Sequence, residues 1–306
     1  MKKSLIALAV LVASGAAMAQ SSVTLYGIAD VVIHKDKDAS ARMSNGGVST
    51  SRWGIKGSED LGGGVSANFN YESKVDLTNG ASGDFTRQAW LGLSGGFGAV
   101  KLGKFWNAYD DVAGASNPVF DSVLSPAGIA PSYNYIANPN SGVYYSLPSM
   151  GGFGGAVSTN FKSAAEANLR ATAFNVNYGN GPVFVALGYQ VESMDGMADR
   201  KLLRVNGSYD LGAAKILAAY GNEKEADSND FTVGVDVPFG QTTLSAGYTM
   251  VRPDAGDDAN SFGVAVAYSL SKRTTVYAGF RKDNDAAVAN YGGVESRIGA
   301  GIKHTF

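Results

Sequence analysis

Residues 297–306 read RIGAGIKHTF, and the pattern within them decides the fold. Ile298, Ala300, Ile302 and Phe306 share one parity, with His304 among them, while Arg297, Gly299, Gly301, Lys303 and Thr305 share the other. A period of two sets an apolar face against a wet one, which is the signature of a β-strand. The strand ends on an aromatic ring, so its apolar face needs an apolar neighbour.

The same alternation recurs upstream. In SSVTLYGIADVVIH (21–34), Val23, Leu25, Ala29, Val31 and Ile33 oppose Thr24, Tyr26, Asp30 and His34. GVSANFNYESK (64–74), GPVFVALGYQ (181–190), DFTVGVDVPFG (230–240) and NSFGVAVAYSL (260–270) repeat it. Short turns carrying glycine, proline or small polar residues fall at 61–64, 95–98, 149–152, 179–182, 211–214, 238–241 and 270–273. Longer polar stretches fall at 35–50, 75–84, 105–139, 162–168, 191–199, 222–230, 251–260 and 281–295. Short turns and long loops alternate, and together they join sixteen strands. An even strand number, with strands of roughly ten residues, is the pattern of a membrane-crossing barrel.

A soluble β-sandwich also alternates, but its hidden face must fill a core. Here one face is rich in Tyr, Phe, Val and Leu, and the other in Gly, Ser, Thr, Asn and scattered charges. Small polar residues suit a water-filled lumen better than a sandwich interior. Aromatics near strand ends (Tyr26, Tyr71, Tyr178, Tyr189, Tyr209, Tyr248, Tyr268, Phe306) are read as interfacial girdles, with Phe306 facing lipid. Closure into a barrel pairs every backbone N–H and C=O, as hydrocarbon requires. The expectation is an all-β chain: a 16-stranded antiparallel transmembrane β-barrel with short periplasmic turns and long extracellular loops.

Composition agrees. Forty glycines stand against eight prolines, and Tyr and Phe number fifteen and fourteen, which fits many strands and turns. Cysteine is absent, so nothing is stapled by disulfides. A net charge of −2 gives no footprint for nucleic acid. At the start, MKKSLIALAVLVASGAAMAQ pairs two lysines with a short apolar run and an Ala17-Met18-Ala19 site, so residues 1–19 read as a cleavable signal peptide and 20–306 as the barrel. The apolar run is too short to span a bilayer as a helix.

Several segments, SSVTLYGIAD (21–30), SRWGIKGSEDLGGG (51–64), RQAWLGLSGGFGAVKLGK (87–104), GVYYSLP (142–148) and the terminal Phe306, together resemble the trimeric general porins of β-proteobacteria, the Gram-negative porin group. The resemblance implies an outer-membrane homotrimer and passive diffusion of small hydrophilic solutes and ions. It implies that the third long loop, 105–139, folds into the lumen as a constriction, and that Phe306 is read by the barrel-assembly machinery.

That loop holds Phe105, Trp106, Tyr109, Val119, Phe120 and Leu124, which want burial, so disorder suits it poorly. Packed on the inner wall, it would turn Asp110, Asp111 and Asp121 to the aperture. By parity Arg52, Lys56 and Lys101 point inward, and Lys74 ends its strand on the polar face. Arg87 and Lys104 share parity with apolar neighbours and are placed at the constriction by resemblance alone. Cations facing carboxylates would set a transverse field and an ion preference. The family often carries arginine where this chain has Tyr144, which leaves the sign of that preference open. Arg204, Arg281, Arg297 and Lys303 also point inward, and solubilising the lumen is the simplest reading of them.

Two histidines, no cysteine and no G-x-S-x-G elbow give no nucleophilic site and no zinc spacing, so neither enzyme nor cofactor is expected. Asp254, Asp257 and Asp258, or Asp227 and Asp230, could bridge divalent cations to lipopolysaccharide, although a hydrated loop is the simpler reading. Two rival functions share the barrel: a substrate-specific channel with an aromatic track, and a non-conducting adhesin or structural barrel.

Overall fold

The computed structural model describes residues 21–164 and 167–306; the signal-peptide reading of 1–19 lies outside them. One antiparallel sheet closes on itself. Its strands are β1 (Ser22–Asp36), β2 (Arg42–Asn45), β3 (Arg52–Gly62), β4 (Val65–Lys74), β5 (Gln88–Gly95), β6 (Gly98–Lys104), β7 (Gly142–Ser146), β8 (Phe153–Asn160) and β9 (Arg170–Asn180). They continue as β10 (Val183–Ser193), β11 (Arg200–Asp210), β12 (Lys215–Glu223), β13 (Ser228–Phe239), β14 (Thr242–Pro253), β15 (Ala259–Ser269), β16 (Thr274–Asp283) and β17 (Ser296–Thr305).

Sixteen of these make the staves, because β2 and β3 are two pieces of one. The lower half of β1 pairs with β3, from Ser22↔Ser58 to Ile28↔Arg52, and its upper half pairs with β2, from Val31↔Asn45 to His34↔Arg42. Residues 46–51 therefore stand opposite only Ala29 and Asp30, and the surplus chain turns inward. Closure comes from β17, which pairs with β1 from Ile28↔Thr305 to Asp36↔Arg297. Phe306 extends this ladder by exchanging two backbone hydrogen bonds of 3.1 Å with Gly27. A Cβ on residue 27 would come within 2.2 Å of the Phe306 ring, so the ring lies across a position only glycine can fill.

The faces sort as the alternation implies. Val23, Leu25, Ile33, Leu91, Val176, Val233, Leu244 and Ile298 are exposed on the outer surface, where hydrocarbon would cover them. Tyr26 departs from the expected girdle: its hydroxyl donates to Asn70 (2.8 Å) and Glu72 (2.9 Å), so the ring faces the lumen. Several strands also run past the limits read from polarity. β10 continues to Ser193, β14 to Pro253 and β16 to Asp283, because a polar residue pairs its backbone in a ladder as well as an apolar one. The stretches 222–230 and 251–260 shrink accordingly to 224–227 and 254–258.

The longest connection, 105–141, lies inside the barrel. It carries the short helix α1 (Asp110–Ala113) and crosses the inner faces of β9 to β16. Gly234, Gly247 and Gly263 pair with one another across β13, β14 and β15 and form a bare groove. A Cβ on Gly247 would meet Pro118 at 2.2 Å, so glycine here admits the loop backbone against the wall. Beneath the loop the inner face is not wet. Val119 and Leu124 pack on Ala265, Ile129 on Val251 and Ala259, and Phe105, Ala108 and Tyr109 on Ala156, Ala173 and Leu202. The barrel thus has a dry half under the loop and a polar half along β1 and β3–β6.

Candidate functional site

Each loop aspartate is held by a tyrosine. Tyr135 donates to Asp110 (2.8 Å), Tyr144 to Asp111 (2.8 Å) and Tyr133 to Asp121 (2.6 Å). Asn175 adds a second donor to Asp111 and Asn117 one to Asp121. None of the three makes an ion pair among the described residues. A hydroxyl donor fixes a carboxylate without cancelling its charge, so these groups stay anionic where water meets them. Asp111 and Asp121 reach the lumen water, yet protein encloses them on most sides. That burial raises the carboxyls of all three, and Asp110 is pushed up to about 6, with Asp111 and Asp121 adding to the rise and Tyr135 and Arg87 opposing it.

Cations lie on the strands of the polar half. Arg52, Lys56 and Lys74 lie on β3 and β4 and Lys101 on β6, as parity indicates. Lys56 sits over the Tyr26 ring (5.2 Å), and Lys101 lies between Trp90 (5.2 Å) and Tyr144 (4.3 Å). Arg87 precedes β5 and leans inward: its Nε donates to Glu72 (2.7 Å) and its guanidinium stacks on Trp106 (4.9 Å). Arg52 shares Glu72 at 3.8 Å. Lys104 stands apart from the group. Its Nζ donates to the carbonyl of Asn138 (2.7 Å) and to Asn140 (2.8 Å), which clamps the loop where it rejoins the wall.

Arg204, for which solubilising the lumen is the simplest sequence reading, is an anchor instead. Arg204 is fully buried: Nε donates to the carbonyl of Ala113 (2.9 Å), Nη1 to Ser132 (2.8 Å) and Asp230 (3.1 Å), and Nη2 to Asn117 (2.8 Å). One guanidinium thereby grips three points of the loop. Asp230 also accepts from the Ser132 backbone (3.0 Å), so it is no outer-loop acid, and a cation-bridging role does not suit it. Glu192 accepts from the Ile136 backbone, and Arg297 pairs with Asp36 at 2.6 Å. Parity finds inward side chains, but it cannot say which of them meet the loop and which meet water.

A closed sixteen-stave barrel with an oily exterior, a polar half-lumen and a charged in-folded loop defines an outer-membrane channel. Comparison with known proteins gives the same answer. The family model for the Gram-negative porin matches residues 5–287. The outer membrane porin protein 32 of Delftia acidovorans is 35% identical over the full length of both chains, and the major outer membrane protein P.IB of Neisseria meningitidis serogroup B is 30% identical with the same coverage. The solved anion-selective porin from Comamonas acidovorans superposes with a TM-score of 0.79 at 27% identity, covering 94% of this chain and 100% of that one. The chain belongs to the Gram-negative porin family and is an outer-membrane diffusion porin.

Proposed function

We propose that the pore of this porin is narrowed by loop 105–141 to an aperture with two unlike sides. Asp110, Asp111 and Asp121 form the acidic edge; Arg52, Lys56, Lys74, Arg87 and Lys101 form the basic wall, with Tyr144 positioning Asp111 and Lys104 serving the loop's return. The single observation that carries this reading is the set of tyrosine–aspartate pairs, which aim carboxylates at water without neutralising them. Solutes that can turn their dipoles along the resulting field pass, and apolar ones must disrupt oriented water. With Glu72, which Arg52 and Arg87 share, counted beside the three loop aspartates, five cations stand against four carboxylates, which supports a weak anion preference, and the solved relative at 27% identity is an anion-selective porin.

General diffusion is preferred over a sugar-specific track because the loop's aromatics are spent on packing. Phe105 and Tyr109 are buried, Trp106 lies under Arg87, and Tyr133 and Tyr135 hold aspartates. Homotrimeric assembly, contact with lipopolysaccharide, recognition of Phe306 by the assembly machinery and removal of residues 1–19 complete the proposal. Planar-bilayer recording tests it: conductance should close in three equal steps, and the reversal potential in a salt gradient should have the anionic sign. A cation-selective or sugar-blocked pore would refute the reading of the aperture.

A further inference from the structure

The loop tip, Val119–Asp121, is the most strained stretch of the pore. Three consecutive non-glycine residues are left-handed, with φ of 58°, 60° and 50°, and the first is β-branched. Such backbone is unfavourable for residues with a side chain and persists only where its surroundings over-determine it. From below, Val119 N–H donates to Ser245 (2.8 Å) and its side chain is buried against β15. From the adjoining wall comes a restraint with a different origin. Val123 N–H donates to the carbonyl of Gly47 (2.8 Å), within the inward turn 46–51 that interrupts the stave formed by β2 and β3.

That turn is built around one carboxylate. Asp30 is fully buried on the inner face of β1, with no cation paired to it among the described residues. It accepts the backbone N–H groups of Gly47 (3.0 Å), Val48 (3.0 Å) and Ser49 (2.7 Å), and the Tyr277 hydroxyl (2.6 Å) reaches it from β16. Its own backbone N–H and C=O bond the Ser51 hydroxyl, and its C=O also accepts from Gly46. Residue 47 has no room for a Cβ, which would lie 1.9 Å from the Tyr277 oxygen. Three of this carboxylate's acceptor bonds shape the turn, and the fourth ties it to β16. A cleft of about 270 Å³ separates turn from loop, and Asp121 lines it.

Resting on the porin reading above, we propose that turn 46–51 is a seat that fixes the loop tip from the adjoining wall, and that Asp30 is the positioning residue of the aperture. Loss of the seat frees the strained tip, and Asp121 moves with it. An aspartate-to-asparagine change weakens hydrogen bonds made to a charged acceptor, enough to shift the seated-to-free ratio roughly tenfold.

The test records the parent channel first, then Asp30→Asn and Tyr277→Phe, in the full-length protein in planar bilayers. A parent that fails to conduct refutes the porin reading, and the seat is then decided by limited proteolysis of the folded barrels. There the proposal expects cleavage near 119–123 to be faster in both variants than in the parent, and equal cleavage overturns it. Given a conducting parent, the proposal expects both variants to flicker among sublevels with increased open-channel noise and a displaced reversal potential, Asp30→Asn more than Tyr277→Phe. Folding is checked by heat-modifiable migration on gels, and if Asp30→Asn does not fold, Tyr277→Phe, which keeps the ring, decides alone. Folded variants with the parent's amplitude, noise and reversal potential overturn it.

Discussion

The Tyr144 hydroxyl donates to Asp111 Oδ2 at 2.8 Å, and the Lys101 ammonium lies 4.3 Å from the centre of the same ring. A single side chain thus joins the basic wall to the acidic loop while carrying no charge. Replacing it with arginine, Tyr144→Arg, should pair with Asp111 and move the reversal potential toward anions. Tyr144→Phe should free Asp111 with a much smaller shift in the potential.

Neutralising the loop has a defined sign. In Asp110→Asn with Asp111→Asn, two carboxylates leave the acidic edge and anion preference should rise. One charge acts with about 1 kcal/mol at ~8 Å in a half-aqueous lumen, so the permeability ratio should change severalfold. Reversal potentials in a potassium chloride gradient measure it, and no change would remove these residues from the aperture.

Acidity should act in the same direction. Burial raises the Asp110 carboxyl to about 6, so the group is ionised above that pH and takes up a proton as pH falls through it. Between pH 7 and 5 the acidic edge loses charge and anion preference grows. Burial shifts Asp111 and Asp121 in the same direction. The Asp110→Asn channel should show a flatter profile over this range.

Arg204→Met removes the buried anchor and leaves Asp230 buried without its partner. Breaking one side of a buried pair costs about 3–5 kcal/mol. The unfolding temperature should fall, and the loop should become sensitive to protease in the folded barrel. Arg204→Lys should rescue only part of the loss, since one ammonium cannot reach Ala113, Asn117, Ser132 and Asp230 together.

Gly247→Ala tests the groove. Its Cβ would stand 2.2 Å from Pro118, and an overpacked contact costs about 1–3 kcal/mol. Displaced loop conformers should appear as conductance substates without loss of the barrel's strand signal in circular dichroism.

Much of the barrel was legible because its two determinants are local. Alternation sets the faces, and turns at 61–64, 95–98 or 211–214 set the count, which the structure repeats stave for stave. The interior was harder. Arg204 and Lys56 have the same parity signal, yet one is sealed under the loop and the other meets water. That difference depends on where residues 113–132 settle, a contact 70 to 90 positions away for Arg204. The inward turn leaves no mark of its own within the polar stretch 35–50, because its residues are small and polar and its partner Asp30 lies on another strand. Tyrosine as a carboxylate clamp leaves no periodic trace at all, and Tyr144 registered only as a missing arginine.

A polar half-barrel open to water and lined by opposed charges must conduct ions and sort them by sign. Single-channel recording in a salt gradient tests it most directly. Steady ohmic steps are expected, with a small anionic reversal potential that grows on acidification. A silent protein, or an open pore whose selectivity ignores both pH and the loop aspartates, would contradict it.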